Sequence, residues 1–195
     1  MKILLATYNE HKQKEFEALF APAGIQLVSL RDVGFDEEII EDGRSFMENA
    51  VIKAEQVFSR TGFPTLADDS GISIDALDGR PGIHSARFLG QATPAQEKNR
   101  QILELLKGNE NRGAHYTCAL VYIAPGRRHT IERECYGRIL EEQQGTEGFG
   151  YDPIFLVDAY GKTMAELPLS VKNEISHRGL AIADLKEYFR KNHIT

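Results

Sequence analysis

The chain has little cysteine and no long apolar run. Its two cysteines, Cys118 and Cys135, lack the paired spacing of a zinc site. The sequence leaves a disulfide between them open, but it favours two free thiols of an intracellular protein. No apolar stretch approaches the ~20 residues of a membrane-spanning helix, and the first residues lack the parts of a secretory signal peptide. These absences predict a cytoplasmic protein that does not enter a membrane.

Positive charge is also scarce, with 23 Lys and Arg against 29 Asp and Glu and a formal net charge of −6. Nucleic acids and membrane surfaces need a basic footprint, so neither is expected as a general partner. A local cationic pocket remains compatible with this balance. Repeats, low-complexity tracts and linkers are absent as well. The length predicts a single domain over residues 1–195 that is large enough to bury its own core.

The apolar residues alternate between strand-like and helix-like spacing along the chain. Helices between some strands and a long hairpin between others predict a mixed α/β sheet with flanking helices. The predicted strands cover residues 2–7, 26–30, 65–67, 72–77, 114–124, 129–136 and 154–157. The predicted helices cover residues 10–21, 45–61, 94–107 and 178–190.

Two adjacent carboxylates, Asp68 and Asp69, precede Ser70 and Gly71 in a segment with the composition of a sharp turn. Side-by-side carboxylates repel each other, and each is costly to bury without a partner. We therefore expect a positive partner at this turn. A metal ion is the simplest candidate.

Three further segments combine turn chemistry with polar or aromatic side chains. Residues 7–12 join the first strand to the first helix, where backbone amides and the helix dipole favour anions. This loop is not a glycine-rich P-loop, and taken by itself it favours an ordinary helix cap with a surface lysine. Residues 149–153 offer aromatic rings to a flat ligand or form a structural turn. Residues 176–179 place basic side chains at a helix start, where the dipole disfavours them, which indicates an anionic or carbonyl partner. The alternative is a capped helix whose basic residues are exposed.

Taken together and in order, these segments resemble the inosine triphosphate/xanthosine triphosphate pyrophosphatase family, over the full length of the chain. Tyr8 departs from the family pattern, which usually has a small residue or histidine there. The matching motifs are Thr7-Tyr8-Asn9 with Lys12, Phe46 with Glu48-Asn49-Ala50 and Lys53-Ala54, Ala67 to Gly71, Pro81-Gly82 with Ser85-Ala86-Arg87, Gly148 to Pro153, Lys162 to Leu167, and Ser176-His177-Arg178.

The resemblance implies an elongated mixed sheet with flanking helices and two lobes around a central nucleotide cleft. It also implies a homodimer that requires Mg²⁺. The implied reaction converts dITP, ITP and XTP to the monophosphate and pyrophosphate. Phosphoryl transfer of this kind needs charge neutralisation and an oriented water more than covalent catalysis.

Site residues follow by matched motif. Asp69 is the implied catalytic base, and Glu38 and Asp69 are the implied metal ligands, although Glu37 and Glu41 lie close to Glu38 in a segment that matches poorly. The implied triphosphate ligands are Thr7, Tyr8, Asn9, Glu10, His11, Lys12, Lys53 and Lys172. The implied nucleoside contacts are Ser70, Phe149, Gly150, Tyr151, Asp152, His177 and Arg178.

Two alternatives stay open at this point. One is a related pyrophosphatase for other modified nucleotides, such as methylated pyrimidine triphosphates. The other is a nucleotide-binding regulator without turnover, which the pairing of Asp68 and Asp69 with Lys12 and Lys53 argues against.

Overall fold

The computed structural model describes residues 1–194, which form seven strands and five α-helices together with short 3₁₀ turns. The strands are β1 (Lys2–Leu5), β2 (Gln26–Ser29), β3 (Thr65–Ile74), β4 (Gly113–Ala124), β5 (Arg127–Ile139), β6 (Phe155–Val157) and β7 (Lys162–Thr163). The α-helices are α1 (Glu10–Phe20), α2 (Phe46–Thr61), α3 (Ala95–Leu105), α4 (Leu169–Ile175) and α5 (His177–Lys191).

All seven strands belong to one sheet with the order β2-β1-β3-β4-β5-β6-β7. Strand β1 runs parallel to β2 and β3, with Lys2 opposite Gln26 and Leu4 opposite Thr65. Strands β5, β6 and β7 pair antiparallel. Only residues 125 and 126 join β4 to β5, so these two strands form the predicted hairpin. The predicted mixed α/β sheet is confirmed.

The chain divides into two compact units. Unit 1 contains residues 1–69, 118–133 and 178–194, and unit 2 contains residues 70–117 and 134–177. Strands β3, β4 and β5 each contribute residues to both units.

The core of unit 1 has two parts because successive side chains of β1 point to opposite faces of the sheet. On one face, Ile3 and Leu5 pack with apolar residues of α1 and α5. On the other face, Leu4 and Ala6 pack with Ala50 and neighbouring residues of α2. Unit 1 is therefore a sheet covered by helices on both faces. The core of unit 2 joins apolar residues of β3, α3, β4, β5 and β6, including Ile72, Ile102 and Phe155.

Helix α2 begins where the capping-box spacing predicts. The Ser45 hydroxyl accepts a hydrogen bond from the Glu48 amide at 3.1 Å, which satisfies one orphan donor of the first turn. The Glu48 carboxylate accepts a hydrogen bond from the Arg44 amide at 2.7 Å. In a standard capping box this bond would come from the amide of the cap residue Ser45, so here the donor is the residue before the cap. The helix ends at Gly62, whose φ of 67° suits a residue without a side chain.

The predicted turn at residues 68–71 is wrong, because β3 continues through it from Thr65 to Ile74. Gly71 serves close packing instead of a turn. A Cβ atom at Gly71 would lie 2.4 Å from the Ser85 hydroxyl oxygen and 2.6 Å from the Gly82 carbonyl oxygen. In a strand, adjacent side chains point to opposite faces, so Asp68 and Asp69 find different partners.

The sequence favoured two free thiols and predicted no membrane-spanning helix. Cys118 and Cys135 are both free thiols, and both are buried. Within residues 1–194, no helix has the length and apolar character that crossing a bilayer requires.

Candidate active site

The loop between β1 and α1 is built as a helix cap. The Asn9 side chain accepts hydrogen bonds from the amides of His11 at 3.0 Å and Lys12 at 3.2 Å. The Thr7 hydroxyl in turn accepts from the Asn9 amide at 3.1 Å. These bonds fix the start of α1 and direct Lys12 from its first turn. Glu10 is the first residue of the helix.

Asp68 is fully buried among cations of unit 1. Its carboxylate forms ion pairs with Lys12 at 2.9 Å and with Arg178 at 3.5 Å. Burial acts to raise the pKa of Asp68, but the charges of Lys12, Arg178 and Lys53 outweigh burial and hold this pKa well below its ordinary value. Asp68 is therefore an ionised buried carboxylate that holds cationic side chains in place.

Arg178 is buried beside two carboxylates. Its guanidinium pairs with Glu15 as well as with Asp68, and it lies over the Phe16 ring at 5.6 Å. Burial acts to lower the pKa of Arg178, but the charges of Asp68 and Glu15 outweigh burial and raise this pKa above its ordinary value. The predicted nucleoside contact of Arg178 stays a prediction, and in this structure Arg178 forms ion pairs with Glu15 and Asp68 of unit 1.

Asp69 differs from its neighbour in its electrostatics. Its carboxylate is almost fully buried and accepts a hydrogen bond from the Asn49 side chain at 3.0 Å. Burial raises the pKa of Asp69, and the negative charge of Glu41 adds to this effect, while Lys12 and Lys53 only partly oppose it. The raised pKa means that the ionised form of Asp69 is a stronger proton acceptor than an ordinary aspartate.

Lys53 connects the two aspartates to the acidic segment, which we define as residues 35–41. Its ammonium donates to the Asp68 main-chain oxygen at 3.0 Å and forms an ion pair with Glu41. Burial acts to lower the pKa of Lys53, but the charges of Asp68 and Glu41 outweigh burial and raise it. Lys53 is therefore a charged, buried lysine.

The acidic segment does not bring the predicted ligand Glu38 to Asp69. The Glu38 side chain is exposed, and its main-chain oxygen accepts from the Gln56 side chain at 2.8 Å. Glu41 is the acidic residue that contacts Lys53 and acts on Asp69. Across residues 1–194, no three His, Cys, Asp or Glu side chains are grouped to hold a metal ion.

Asp68 and Asp69 form a first cluster in unit 1 with their partners Lys12, Glu15, Asn49, Lys53 and Arg178. A second cluster, wholly in unit 2, surrounds the buried Asp152. Its carboxylate pairs with Lys172 at 2.7 Å and accepts from the Phe149 amide at 2.9 Å and the Tyr116 hydroxyl at 3.3 Å. A Cβ atom at Gly148 would lie 2.1 Å from this carboxylate, so the loop needs glycine there.

Rings and a backbone carbonyl complete this cluster. The His177 ring stacks on Tyr116 with centroids 4.7 Å apart, and the Lys172 ammonium lies 5.3 Å from the centre of the Phe149 ring. The Asn99 side chain donates to the Gly150 carbonyl at 3.0 Å and so fixes the loop that carries Phe149. The structure therefore brings together four residues that the motifs singled out, namely Phe149, Asp152, Lys172 and His177.

Two predicted substrate contacts, Tyr151 and Tyr8, have structural partners of their own. Tyr151 lies in the core of unit 2, and its hydroxyl donates to the Ser85 carbonyl at 2.7 Å. Ser70 is half-buried in β3. The Tyr8 ring is 48% exposed, and its hydroxyl reaches main-chain carbonyls of the acidic segment. Whether these side chains contact substrate stays a prediction.

Four residues of the two clusters carried no functional prediction: Glu15, Asn49, Asn99 and Tyr116. Asn49 offered a signal, because it lies four residues before Lys53 and the two share one side of α2. Glu15 lies three residues after Lys12 on α1. Tyr116 and Asn99 gave no signal, because their partners are far away in the sequence.

Comparison with known proteins places these clusters in a family context. The Ham1 family model matches residues 3–188. The dITP/XTP pyrophosphatase of Bacillus licheniformis is 46% identical over 187 residues, covering 94% of this chain and 95% of the relative. That of Geobacter sulfurreducens is 44% identical over 190 residues, covering 96% of each chain.

A solved structure agrees with the sequence comparison. The Ham1 protein of Staphylococcus aureus superposes with a TM-score of 0.89 at 32% identity, covering 98% of this chain and 100% of the other. The resemblance inferred from the motifs is thus confirmed at the level of both sequence and fold. The chain belongs to the Ham1 family.

Proposed function

We propose that this protein hydrolyses non-canonical purine nucleoside triphosphates, namely dITP, ITP and XTP, to the monophosphate and pyrophosphate. The observation that carries the proposal is the buried arrangement of Asp68 and Asp69 with Lys12 and Lys53. The names of the relatives support the substrate class, since they are dITP/XTP pyrophosphatases.

The triphosphate is proposed to bind residues of unit 1. The start of α1 offers backbone amides and the positive end of the helix dipole, and Lys12 and Lys53 add two charges. Asp68 holds Lys12 in place, because their ion pair is formed before any ligand arrives. Preformed positive charge at a reacting phosphate costs no reorganisation during the reaction.

Asp69 is proposed to accept the proton of the attacking water. Burial raises its pKa, so its ionised form has the basicity that this role needs. The Asn49 side chain donates to one carboxylate oxygen and orients the group. The proton therefore moves from water to Asp69, and the leaving group is pyrophosphate.

Mg²⁺ is the proposed cofactor, and the residues present fit it. Mg²⁺ is usually held by one or two carboxylates with waters and substrate phosphates, so a group of three protein ligands is not required. Asp69 is a buried carboxylate whose desolvation its lysine neighbours do not fully offset. Glu41 fits the second position better than the predicted Glu38, because Glu41 acts electrostatically on Asp69. The bound ion would neutralise charge on the phosphates.

The nucleoside is proposed to contact the residues that the motifs singled out for it, including Phe149, Asp152, His177 and Arg178. Inosine and xanthine carry a 6-oxo group, whereas adenine carries an amine donor there. A site that offers donors satisfies the oxo group and rejects the amine. The 2-amino group of guanine is proposed to be excluded by the wall from Phe149 to Asp152. We also propose that the protein is a homodimer, as the resemblance implies, and that it is located in the cytoplasm.

The deciding experiment measures pyrophosphate release from dITP with Mg²⁺. Asp69→Asn keeps the shape of the side chain and removes its charge, so we expect a loss of at least about a hundredfold. Asp78→Asn is the matched control, because Asp78 is exposed at a turn of unit 2 with a φ of 54° that asparagine tolerates.

Three outcomes would contradict the proposal. Near-full activity of Asp69→Asn at saturating Mg²⁺ would exclude the catalytic role of Asp69. Tight dITP binding without turnover in the unsubstituted protein would favour the regulator alternative. Faster release from methylated pyrimidine triphosphates than from dITP would favour the related pyrophosphatase.

A further inference from the structure

The acidic segment lacks a backbone framework of its own. Residues 35–43 lie in neither helix nor strand. Its start is fixed by the buried Phe35, whose amide donates to the Leu30 carbonyl at 2.9 Å. Beyond Phe35, its position depends on side chains of other elements. Gln56 of α2 donates to the Glu38 carbonyl at 2.8 Å, and Lys53 pairs with Glu41.

Tyr8 holds this segment from the side of the β1–α1 loop. Its hydroxyl lies 3.2 Å from the Phe35 carbonyl oxygen and 3.1 Å from the Glu37 carbonyl oxygen, so a single donor is shared between two acceptors. The loop that carries Tyr8 is itself fixed by the Asn9 cap of α1. Tyr8 therefore links a rigid helix start to a segment that has no regular structure.

This use of the hydroxyl is a specific arrangement, because the Tyr8 ring is 48% exposed and water is available to it. The hydroxyl donates to two main-chain carbonyls, although the carboxylates of Asp36 and Glu37 also lie nearby. Burial, Asp36 and Glu37 raise the pKa of Tyr8, which keeps the hydroxyl protonated and able to donate.

We propose that Tyr8 is a positioning residue, whose hydroxyl holds the acidic segment so that Glu41 stays beside Lys53 and Asp69. Tyr8 then acts on Mg²⁺ binding through the segment and does not contact the triphosphate itself. The inference deepens the proposed function and rests on it for the link to Mg²⁺. That Tyr8 holds the acidic segment in position does not depend on the proposed function.

Hydrogen exchange followed by mass spectrometry tests the link to segment position. Tyr8→Phe removes the hydroxyl and keeps the ring, and Gln56→Leu removes the side-chain donor to the Glu38 carbonyl. Each variant loses roughly one hydrogen bond, which corresponds to about fivefold faster exchange within residues 35–41. Tyr160→Phe is the control, because Tyr160 is 47% exposed and its hydroxyl donates to no residue within 1–194.

Metal titration tests whether Tyr8 affects Mg²⁺ binding. Mn²⁺ binding is followed by electron paramagnetic resonance without nucleotide, and the Mg²⁺ dependence of dITP hydrolysis is measured in parallel. Tyr8→Phe and Gln56→Leu should both weaken Mn²⁺ binding and raise the half-saturating Mg²⁺ concentration, by on the order of fivefold. The kcat at saturating Mg²⁺ should change less than the half-saturating concentration. A merely structural role would leave this metal dependence unchanged.

Two results would overturn the proposal. Unchanged exchange of residues 35–41 in Tyr8→Phe would show that the hydroxyl does not hold the segment. A higher KM for dITP in Tyr8→Phe alone, with the metal dependence unchanged, would show a direct contact with substrate. If the unsubstituted protein proves inactive on every triphosphate, the proposed function fails, while exchange and Mn²⁺ binding still decide the role of Tyr8.

Discussion

Replacing Asp68 and Asp69 one at a time by asparagine should change stability in opposite directions. Both substitutions keep the size and shape of the side chain, and the two positions are adjacent in β3. They differ in what surrounds the charge. Asp68 is ionised among cations that hold its pKa down, whereas burial raises the pKa of Asp69.

For Asp68→Asn we expect a large loss of stability. The substitution leaves the half-buried Lys12 and the buried Arg178 beside a neutral group, although Glu15 still pairs with Arg178. Breaking a buried ion pair by removing one partner costs about 3–5 kcal/mol. For a chain of this size, that corresponds to a fall in Tm of roughly 6–20 °C.

For Asp69→Asn we expect a free energy of unfolding equal to or above that of the unsubstituted protein. A raised folded-state pKa means that ionisation of Asp69 opposes folding at neutral pH. Asparagine removes this cost, and its side-chain oxygen can still accept the hydrogen bond from Asn49. The same variant that loses activity should therefore keep or gain stability, as often holds for active-site residues.

The pH dependence gives each effect a distinct signature. The folded pKa of Asp68 is lowered, so its contribution is present above the unfolded-state value of about 3.9 and is lost as the pH falls further. The folded pKa of Asp69 is raised, so its favourable contribution is present below about pH 3.9 and is lost as the pH rises. The deficit of Asp68→Asn should shrink in acid, and the gain of Asp69→Asn should appear only above that range.

Urea unfolding followed by circular dichroism, in EDTA and between pH 3 and 7, measures both effects. EDTA removes any metal that would mask the charge of Asp69. A loss below about 1 kcal/mol for Asp68→Asn at pH 7 would refute the buried-pair reasoning, since that is the range of an exposed pair. An equal loss in both variants would refute the distinction between the two carboxylates.

Four further outcomes follow from the two clusters and the buried thiols. Lys12→Ala and Lys53→Ala should weaken dITP binding more than dIMP binding in calorimetry, and equal losses would count against their phosphate role. The kcat/KM for ITP should exceed that for ATP by up to about 10⁴-fold, and comparable rates would refute the donor pocket. EDTA should abolish pyrophosphate release and Mg²⁺ should restore it, whereas activity in chelator would exclude the metal. Burial raises the pKa of Cys118 to about 12 and that of Cys135 to about 11, so Ellman's reagent at pH 8 should label neither thiol before unfolding.

Local rules predicted the elements whose causes are local. Ser45 and Glu48 marked the start of α2 because a cap is decided within one turn. The strand–turn prediction at residues 68–71 failed because the partners of Asp68 lie on α1 and α5, which local composition does not reveal. Tertiary pairing stabilised an extended backbone where turn propensity favoured a bend.

In the candidate site, too, some residues could be predicted from the sequence and others depend on tertiary contacts. Asp69, Lys53, Asp152 and Lys172 were found from motifs, and each lies in one of the two clusters. The choice between Glu38 and Glu41 could not be made from sequence, because the acidic segment has no periodicity that assigns a direction to its side chains. Bonds from Tyr8, Gln56, Lys53 and Arg60 place it.

The composition of unit 1 has a consequence for biosynthesis. Its core joins Ile3 and Phe16 with Ile182, Leu185 and Phe189 of α5, so the first and last parts of the chain complete one apolar cluster. During translation, β1 and α1 leave the ribosome long before the helix that covers them. The nascent chain must keep this apolar surface exposed until α5 has been made, and during that time the surface is open to chaperones and to aggregation. A premature stop before α5 would leave the surface uncovered permanently, and the truncated chain should accumulate as insoluble protein.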